Sequence, residues 1–165
     1  MVLCADSVLV PKWWVDGSQI THPNMRGHSG GCMSLGKGMP INSSTKQKIN
    51  TRSSTETELV AADNFMPIIL WTNYFLEAQG CGHQDTILYQ DNQSAILLKK
   101  NDRKSSSKRT KHLNCRFYFI TDQINNNELS VEYCPTEEMV GDYYTKPLQG
   151  KLFYEFRCSI MNLQE

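Results

Sequence analysis

Ile87-Leu88-Tyr89-Gln90-Asp91-Asn92-Gln93-Ser94 is a short apolar strand that ends on a carboxylate and passes at once into a helix, Ala95-Ile96-Leu97-Leu98. In open α/β sheets the carboxyl end of a strand is where ligands bind, so an acid there stands at the mouth of any site the fold makes. Asp91 is that acid. A second reading leaves Asp91 or Asn92 only as the cap of the helix, since both residue types are favoured there. Other carboxylates in the chain decide between the two.

The chain has 165 residues, enough for one well-buried domain and short for two, so residues 1–165 are read as a single unit. Its apolar content of 39% and charged content of 21% are those of an ordinary globular protein. No apolar run approaches the roughly 18 residues a membrane span needs, and the N-terminus has no basic-then-apolar leader. A soluble, intracellular, cytoplasmic protein with no membrane partner is expected. Cys4, Cys32, Cys81, Cys115, Cys134 and Cys158 lie far apart and are expected as buried reduced thiols. His22, His28, His83 and His112 have no metal-binding spacing. Any metal would be held by carboxylates, which points to Mg²⁺ or Mn²⁺.

Formal net charge is zero, but its distribution is uneven. Lys99, Lys100, Arg103, Lys104, Lys108, Arg109, Lys111 and Arg116 face the single acid Asp102 in their stretch, so one basic face is expected against acidic surroundings elsewhere.

Taken in order, residues 1–11 form a lead-in segment, and Lys12-Trp13-Trp14-Val15-Asp16-Gly17-Ser18 reads as a first strand. Gly30 to Leu35 reads as a second, closed by a hairpin turn at Gly36-Lys37-Gly38. The third strand, Met39 to Ser44, contains Pro40, which places it at a sheet edge or delays its start. Two overlapping capping boxes, Ser53 with Glu56 and Thr55 with Glu58, open a helix that carries Leu59, Ala62, Met66, Ile69 and Leu70 towards Gly80. Pro67 is expected to kink or divide it. The Ile87 strand follows as the fourth. A serine-rich basic loop leads to a helix from Lys111 to about Asn125, then to a fifth strand, Leu129 to Cys134. Thr136 is expected to cap a helix through Asp142, and a last helix lies within residues 150–165. Three hairpin-linked strands followed by two helix-linked ones predict an α/β fold, a mixed sheet covered by helices.

Four acids occupy the ends of inner strands or the helices beside them: Asp16, Glu58, Asp91 and Asp142. If the first and fourth strands are parallel neighbours, about 4.8 Å apart, Asp16 and Asp91 lie side by side. Two anions so close are costly unless a cation separates them. Glu58 and Asp142 would complete an all-oxygen site for two hard cations, the arrangement used for in-line phosphoryl chemistry. Each acid also has a plainer reading. Asp16 could be a turn residue before Gly17, Glu58 could close the box with Thr55 and leave Glu56 as the functional acid, and Asp142 could be solvated, as Glu137 and Glu138 are expected to be.

Several stretches then fall in one order: Trp13-Trp14-Val15-Asp16, Lys46 to Leu59, Tyr89-Gln90-Asp91-Asn92-Gln93-Ser94-Ala95, Arg109-Thr110-Lys111-His112, Val131 to Glu138, and Asp142-Tyr143-Tyr144-Thr145-Lys146-Pro147-Leu148. Together they resemble the ribonuclease H domain of copia-type LTR-retrotransposon polyproteins. The resemblance implies a ribonuclease H-like fold, with a five-stranded mixed sheet of order 3-2-1-4-5 flanked by helices. It implies that Asp16, Glu58, Asp91 and Asp142 are the metal-binding and catalytic tetrad, with Glu58 preferred over Glu56 because it directly precedes Leu59. The implied activity is endonucleolytic hydrolysis of the RNA strand of an RNA/DNA hybrid during reverse transcription, leaving a 3′-hydroxyl and a 5′-phosphate, with two Mg²⁺ ions and Mn²⁺ as the substitute.

The partners so implied are the hybrid and a reverse transcriptase domain fused upstream, without which a weaker grip on the hybrid is expected. Lys99, Lys100, Arg103, Lys104, Lys108, Arg109, Lys111 and His112 would hold backbone phosphates, with Asn92 and Gln93 donating to the backbone or sugars. The plainer reading of the basic run is a solvated surface. Cellular relatives carry a proton-shuttling histidine after the last strand, where this chain has Cys134-Pro135-Thr136-Glu137-Glu138, so Glu137 or Glu138 substitutes or the step has no side-chain acid. Gly17 and Gly141 are expected to add backbone freedom beside Asp16 and Asp142. The alternative function is a catalytically impaired module of the same fold that binds nucleic acid or a protein.

Overall fold

A computed structural model describes residues 3–82, 85–93 and 111–163, with the backbone alone at 111–114. In chain order the elements are β1 (Cys4–Ala5), β2 (Lys12–Ser18), β3 (His28–Ser34), β4 (Gly36–Lys37), β5 (Ile41–Lys46), α1 (Ser54–Ala78), β6 (Thr86–Gln90), α2 (Lys111–Asn125), β7 (Leu129–Tyr133), two 3₁₀ turns (Thr136–Glu138 and Val140–Tyr144) and α3 (Gly150–Met161). The helix expected over Ala95 to Leu98 lies outside the described residues.

β2 runs through the middle of the sheet because both of its faces are covered. Trp13 and Val15 are fully buried towards α1, while Trp14 and Asp16 face the opposite layer, the alternation a strand enforces. β3 pairs antiparallel with β2, and β5 antiparallel with β3. On the other side β6 runs parallel to β2 and β7 parallel to β6. The order β5-β3-β2-β6-β7 is the 3-2-1-4-5 arrangement of the five main strands. One apolar cluster joins Trp13, Val15, Met33 and Leu88 of the sheet to Leu59, Phe65, Met66 and Ile69 of α1 and Phe117 and Ile120 of α2. On the opposite face Cys32, Met39, Val140, Phe156 and Ile160 form a smaller cluster with Trp14, Tyr143 and Tyr144. Each large side chain so buried contributes about 1.5–3 kcal/mol.

Local sequence explains most boundaries. Ser53 caps α1 by accepting from the Glu56 N–H, and the Glu56 carboxylate returns to the Arg52 N–H at 2.7 Å. β5 starts after Pro40 and takes the sheet edge, as that proline requires.

Other expectations are corrected. Pro67 does not divide α1, which is continuous over 25 residues. Pro67 is exposed while Met66 and Ile69 are fully buried, so the missing N–H falls on the solvent side and packing holds the helix together. Gly36 and Lys37 form a strand and not only a turn, because the lead-in segment supplies a partner in β1 and Asp6 N–H reaches Leu35 O at 2.8 Å. The helix expected from Thr136 is two 3₁₀ turns with no side-chain cap. Met139 breaks them at ψ 79, where its fully buried side chain is anchored in the core. All six cysteines are unpaired, but only Cys32, Cys134 and Cys158 are buried, while Cys4 and Cys115 are exposed.

A polar brace crosses the main core. Asn73 of α1, 1% exposed, donates from Nδ2 to Glu128 O at 3.0 Å and accepts at Oδ1 from the Thr86 hydroxyl at 2.6 Å. It ties α1 to β6 and to the turn before β7. Replacing it with leucine strands both partners, and Asn73→Leu is expected to lose about 1–3 kcal/mol of stability in urea unfolding. An unchanged midpoint would show that the brace carries no net energy.

Candidate active site

Asp16 stands near the carboxyl end of β2, and Asp91 directly follows β6. The strands are parallel with Trp14 opposite Tyr89, so continuing that register two residues sets Asp16 beside Asp91. Glu58 joins them from the first turns of α1. The carboxylate oxygens offered by Asp16, Glu58 and Asp91 all lie within 4.8 Å of one another. Asp16 is 1% exposed and Glu58 5%, while Asp91 is partly open. Glu56, the alternative acid, is occupied in the helix cap through Arg52.

Close backbone approach produces this convergence. A Cβ on Gly17 would stand 2.7 Å from Thr57 O, so only glycine lets the start of α1 press against β2 and deliver Glu58. Gln47, fully buried, fixes the same helix end by donating to Thr57 O and to the Ser29 hydroxyl, each at 3.0 Å. On the opposite side, a Cβ on Gly141 would meet Asp16 N and Trp14 O at 3.2 Å. The freedom expected of Gly17 and Gly141 is therefore corrected to a need for space, since neither has a positive φ.

Asp142 arrives on the Val140–Tyr144 turn, 2% exposed. Its Oδ1 accepts from Lys146 Nζ at 2.7 Å, and the same ammonium lies 3.8 Å from Asp16 Oδ1. The Thr145 hydroxyl donates to Asp16 Oδ2. Asp16, Glu58 and Asp91 thus form one compact group, and Asp142 is linked to it through Lys146. Sequence reasoning missed Thr145 and Lys146 as site residues, although the i,i+4 spacing of Asp142 and Lys146 was a usable signal.

Asn92 lines the same cleft of about 360 Å³ as Asp16, Glu58, Asp91 and Lys146. Gln93 is exposed beside it. Lys99, Lys100, Arg103, Lys104, Lys108 and Arg109 lie outside the described residues, as do the side chains of Lys111 and His112 in the first turn of α2. Arg116, counted in the basic run, instead pairs with Asp63 of α1 at 3.1 Å. Glu137 and Glu138 are exposed, and Glu138 borders a separate cleft of about 530 Å³ with Trp14, Tyr89 and Tyr133, where none of the four acids lies.

The electrostatics are those of crowded anions. Burial, then the Asp16 charge, raises the Asp91 carboxyl above its ordinary range, and Lys146 offsets part of this. Burial raises Asp142 to about 6, with Asp16 and Asp91 adding to the effect and the Lys146 hydrogen bond opposing it. Burial works against the Lys146 ammonium, but Asp16 and Asp142 outweigh it and the lysine is raised. Three close carboxylates in a polar cleft are a donor set for a hard divalent cation, and the residues present fit one.

Two outcomes follow from this geometry. Gly17→Ala drives a methyl into the Thr57 carbonyl and is expected to cost about 1–3 kcal/mol, with weaker divalent-cation binding in calorimetry because Glu58 moves with the helix. The raised acids also set a pH window. Between the ordinary carboxylate range and about 6, Asp142 of the folded chain holds a proton that the unfolded chain has released, and the raised Asp91 acts in the same direction, so metal-free stability falls as pH rises. Those protons compete with a metal, so Mg²⁺ or Mn²⁺ is expected to raise Tm more at about pH 7.5 than at about pH 5. Equal shifts at both would place the ion elsewhere.

No protein-family model matches the chain. Over 107 residues, 65% of its length, it is 33% identical to the retrovirus-related Pol polyprotein from transposon TNT 1-94 of Nicotiana tabacum. Over 119 residues, 72% of its length, it is 33% identical to the corresponding polyprotein from transposon RE1 of Arabidopsis thaliana. It spans only 8% of the length of either. Among solved structures it is similar to LC11-RNase H1 in complex with an RNA/DNA hybrid, with TM-score 0.58, 14% identity, and coverage of 82% of this chain and 93% of that one. At that identity the likeness concerns the fold, and the sheet order agrees with it. The chain is homologous to a short part of retrotransposon Pol polyproteins and has the ribonuclease H fold.

Proposed function

We propose that this chain is a metal-dependent endonuclease that hydrolyses the RNA strand of RNA/DNA hybrids during reverse transcription of a retroelement. The observation that carries the reading is the convergence of Asp16, Glu58 and Asp91 within 4.8 Å at the end of two parallel strands, in an open cleft. Homology to part of retrotransposon Pol polyproteins supports a Pol-type nuclease, and a fold neighbour bound to an RNA/DNA hybrid supports the substrate class.

Asp16, Glu58, Asp91 and Asp142 are the proposed ligands of two Mg²⁺ ions, or Mn²⁺ in their place. When bound, such ions ready a water for attack on the scissile phosphate and neutralise the charge on the departing 3′-oxygen. The chain's own part is to hold the four carboxylates rigidly. Asp16 is fixed by Thr145, and Glu58 by the packing of α1 on Gly17. Asn92 in the cleft and the exposed Gln93 next to it are proposed to donate to the hybrid's sugars and backbone. Lys99, Lys100, Arg103, Lys104, Lys108, Arg109, Lys111 and His112 are proposed to hold phosphates by charge. Glu137 or Glu138 serves the departing oxygen, or the step proceeds without a side-chain acid. An upstream reverse transcriptase domain is the proposed partner, in keeping with relatives far longer than this chain.

The test is cleavage of a labelled RNA/DNA hybrid with Mg²⁺ and then Mn²⁺, comparing the wild-type chain with Asp91→Asn, and with single-stranded RNA and duplex DNA as controls. Cleavage confined to the hybrid is expected. It should fall at least about 100-fold in Asp91→Asn, the scale of losing several kcal/mol of charge stabilisation. Hybrid binding without cleavage under either metal would replace the enzyme with a nucleic-acid-binding module of the same fold.

A further inference from the structure

Among the described residues, the cation that touches the acid cluster is Lys146. Its Nζ is 2.7 Å from Asp142 Oδ1 and 3.8 Å from Asp16 Oδ1, and those two side chains are 3% and 1% exposed. The backbone builds this contact. Thr145 N–H and Lys146 N–H both donate to Asp142 O, at 3.2 and 2.9 Å, which closes the turn and returns the lysine over the aspartate. The Thr145 hydroxyl ties the same turn to Asp16. A Cβ on Gly30 would lie 2.6 Å from both Thr145 Cγ2 and Tyr144 Cβ, so the turn is pressed against β3 with no space to drift.

Two buried carboxylates that meet at one ammonium are costly without a counter-charge. The ammonium supplies it from within the chain. Lys146 itself is 37% exposed, so its flexible stem has a route outward to solvent. A divalent cation that takes Asp142 together with Asp16 meets the lysine first, because both seek the same oxygens. The Asp16, Glu58 and Asp91 group can be used without displacing the contact to Asp142.

We propose that Lys146 is a positioning residue of this site, a built-in counter-ion that holds the Asp16 and Asp142 carboxylates together and gives way to a divalent cation there. The inference rests on the metal-dependent reading above and adds to it an internal competitor. Metal occupancy at Asp142 is thereby weakened relative to occupancy at the Asp16, Glu58 and Asp91 group. In the absence of metal, the fold keeps its site assembled through the lysine.

The experiment is calorimetric titration of the whole chain with Mn²⁺ alone, beside thermal unfolding in chelator, for the wild type, Lys146→Gln and Lys146→Arg. The wild type is expected to bind in a tighter and a weaker phase. In Lys146→Gln the chelated protein should melt at lower temperature while the weaker Mn²⁺ phase tightens about tenfold, the scale of one lost charge coupling. Lys146→Arg should keep both the melting temperature and the weak phase. If Lys146→Gln is unfolded in chelator, added Mn²⁺ is expected to refold it, and failure to do so overturns the proposal. An unchanged or weaker Mn²⁺ affinity in Lys146→Gln overturns it as well, since a merely structural lysine would give that result. Absence of Mn²⁺ binding in the wild type would remove the metal-dependent reading itself, and this inference with it.

Discussion

Three close backbone approaches around the end of β2 hold the rest of the structure in place. α1 comes against Gly17, the Val140–Tyr144 turn comes against β2 at Gly141, and the same turn comes against β3 at Gly30. The contacts at Gly17 and Gly30 leave no volume for a methyl group, and the one at Gly141 is a tight fit, with its nearest neighbours at 3.1 and 3.2 Å. Each also carries a charged side chain with it: Glu58 in the first case, Asp142 and Lys146 in the other two. Tight packing of backbone is thus what converts acids scattered over the chain into one cluster.

Such a cluster opposes folding by itself, since its anions are buried and mutually repulsive. The stabilisation that offsets it comes from elsewhere. The main apolar cluster between sheet and helices, and the smaller one beneath the Val140–Tyr144 turn, press the acid-bearing elements onto β2 from both sides. The buried polar groups are placed where they brace these elements. Gln47 holds the start of α1, Asn73 holds its far half to β6, and Thr145 holds the late turn to Asp16. Electrostatic strain at the rim and apolar packing beneath it are therefore two parts of one design, in which the site stays rigid because its neighbours are.

Much of this was legible in the chain. The strand ending at Asp91, the Ser53 cap, the Lys111–Asn125 helix and the edge position forced by Pro40 rest on local chemistry, and the structure shows each of them. The pairing of Asp16 with Asp91 needed only the assumption of parallel neighbours, which the register supplies. Where local reasoning misread an element of secondary structure, the cause was tertiary. Pro67 is tolerated because buried neighbours hold its helix, Gly36 and Lys37 extend because β1 offers a partner, and Met139 breaks a helix because its side chain is anchored in the core.

The chain by itself determined the five main strands in order and the start of α1, because periodicity, caps and turn residues act over a few neighbouring positions, while the sheet order and the choice of four acids were what the family resemblance implied. Only the tertiary structure brought Glu58 beside Asp16 and Asp91, set the close approaches at Gly17, Gly30 and Gly141, and placed Lys146 between Asp142 and Asp16. Those facts depend on distances between atoms far apart in sequence, and such distances exist only once the layers have packed.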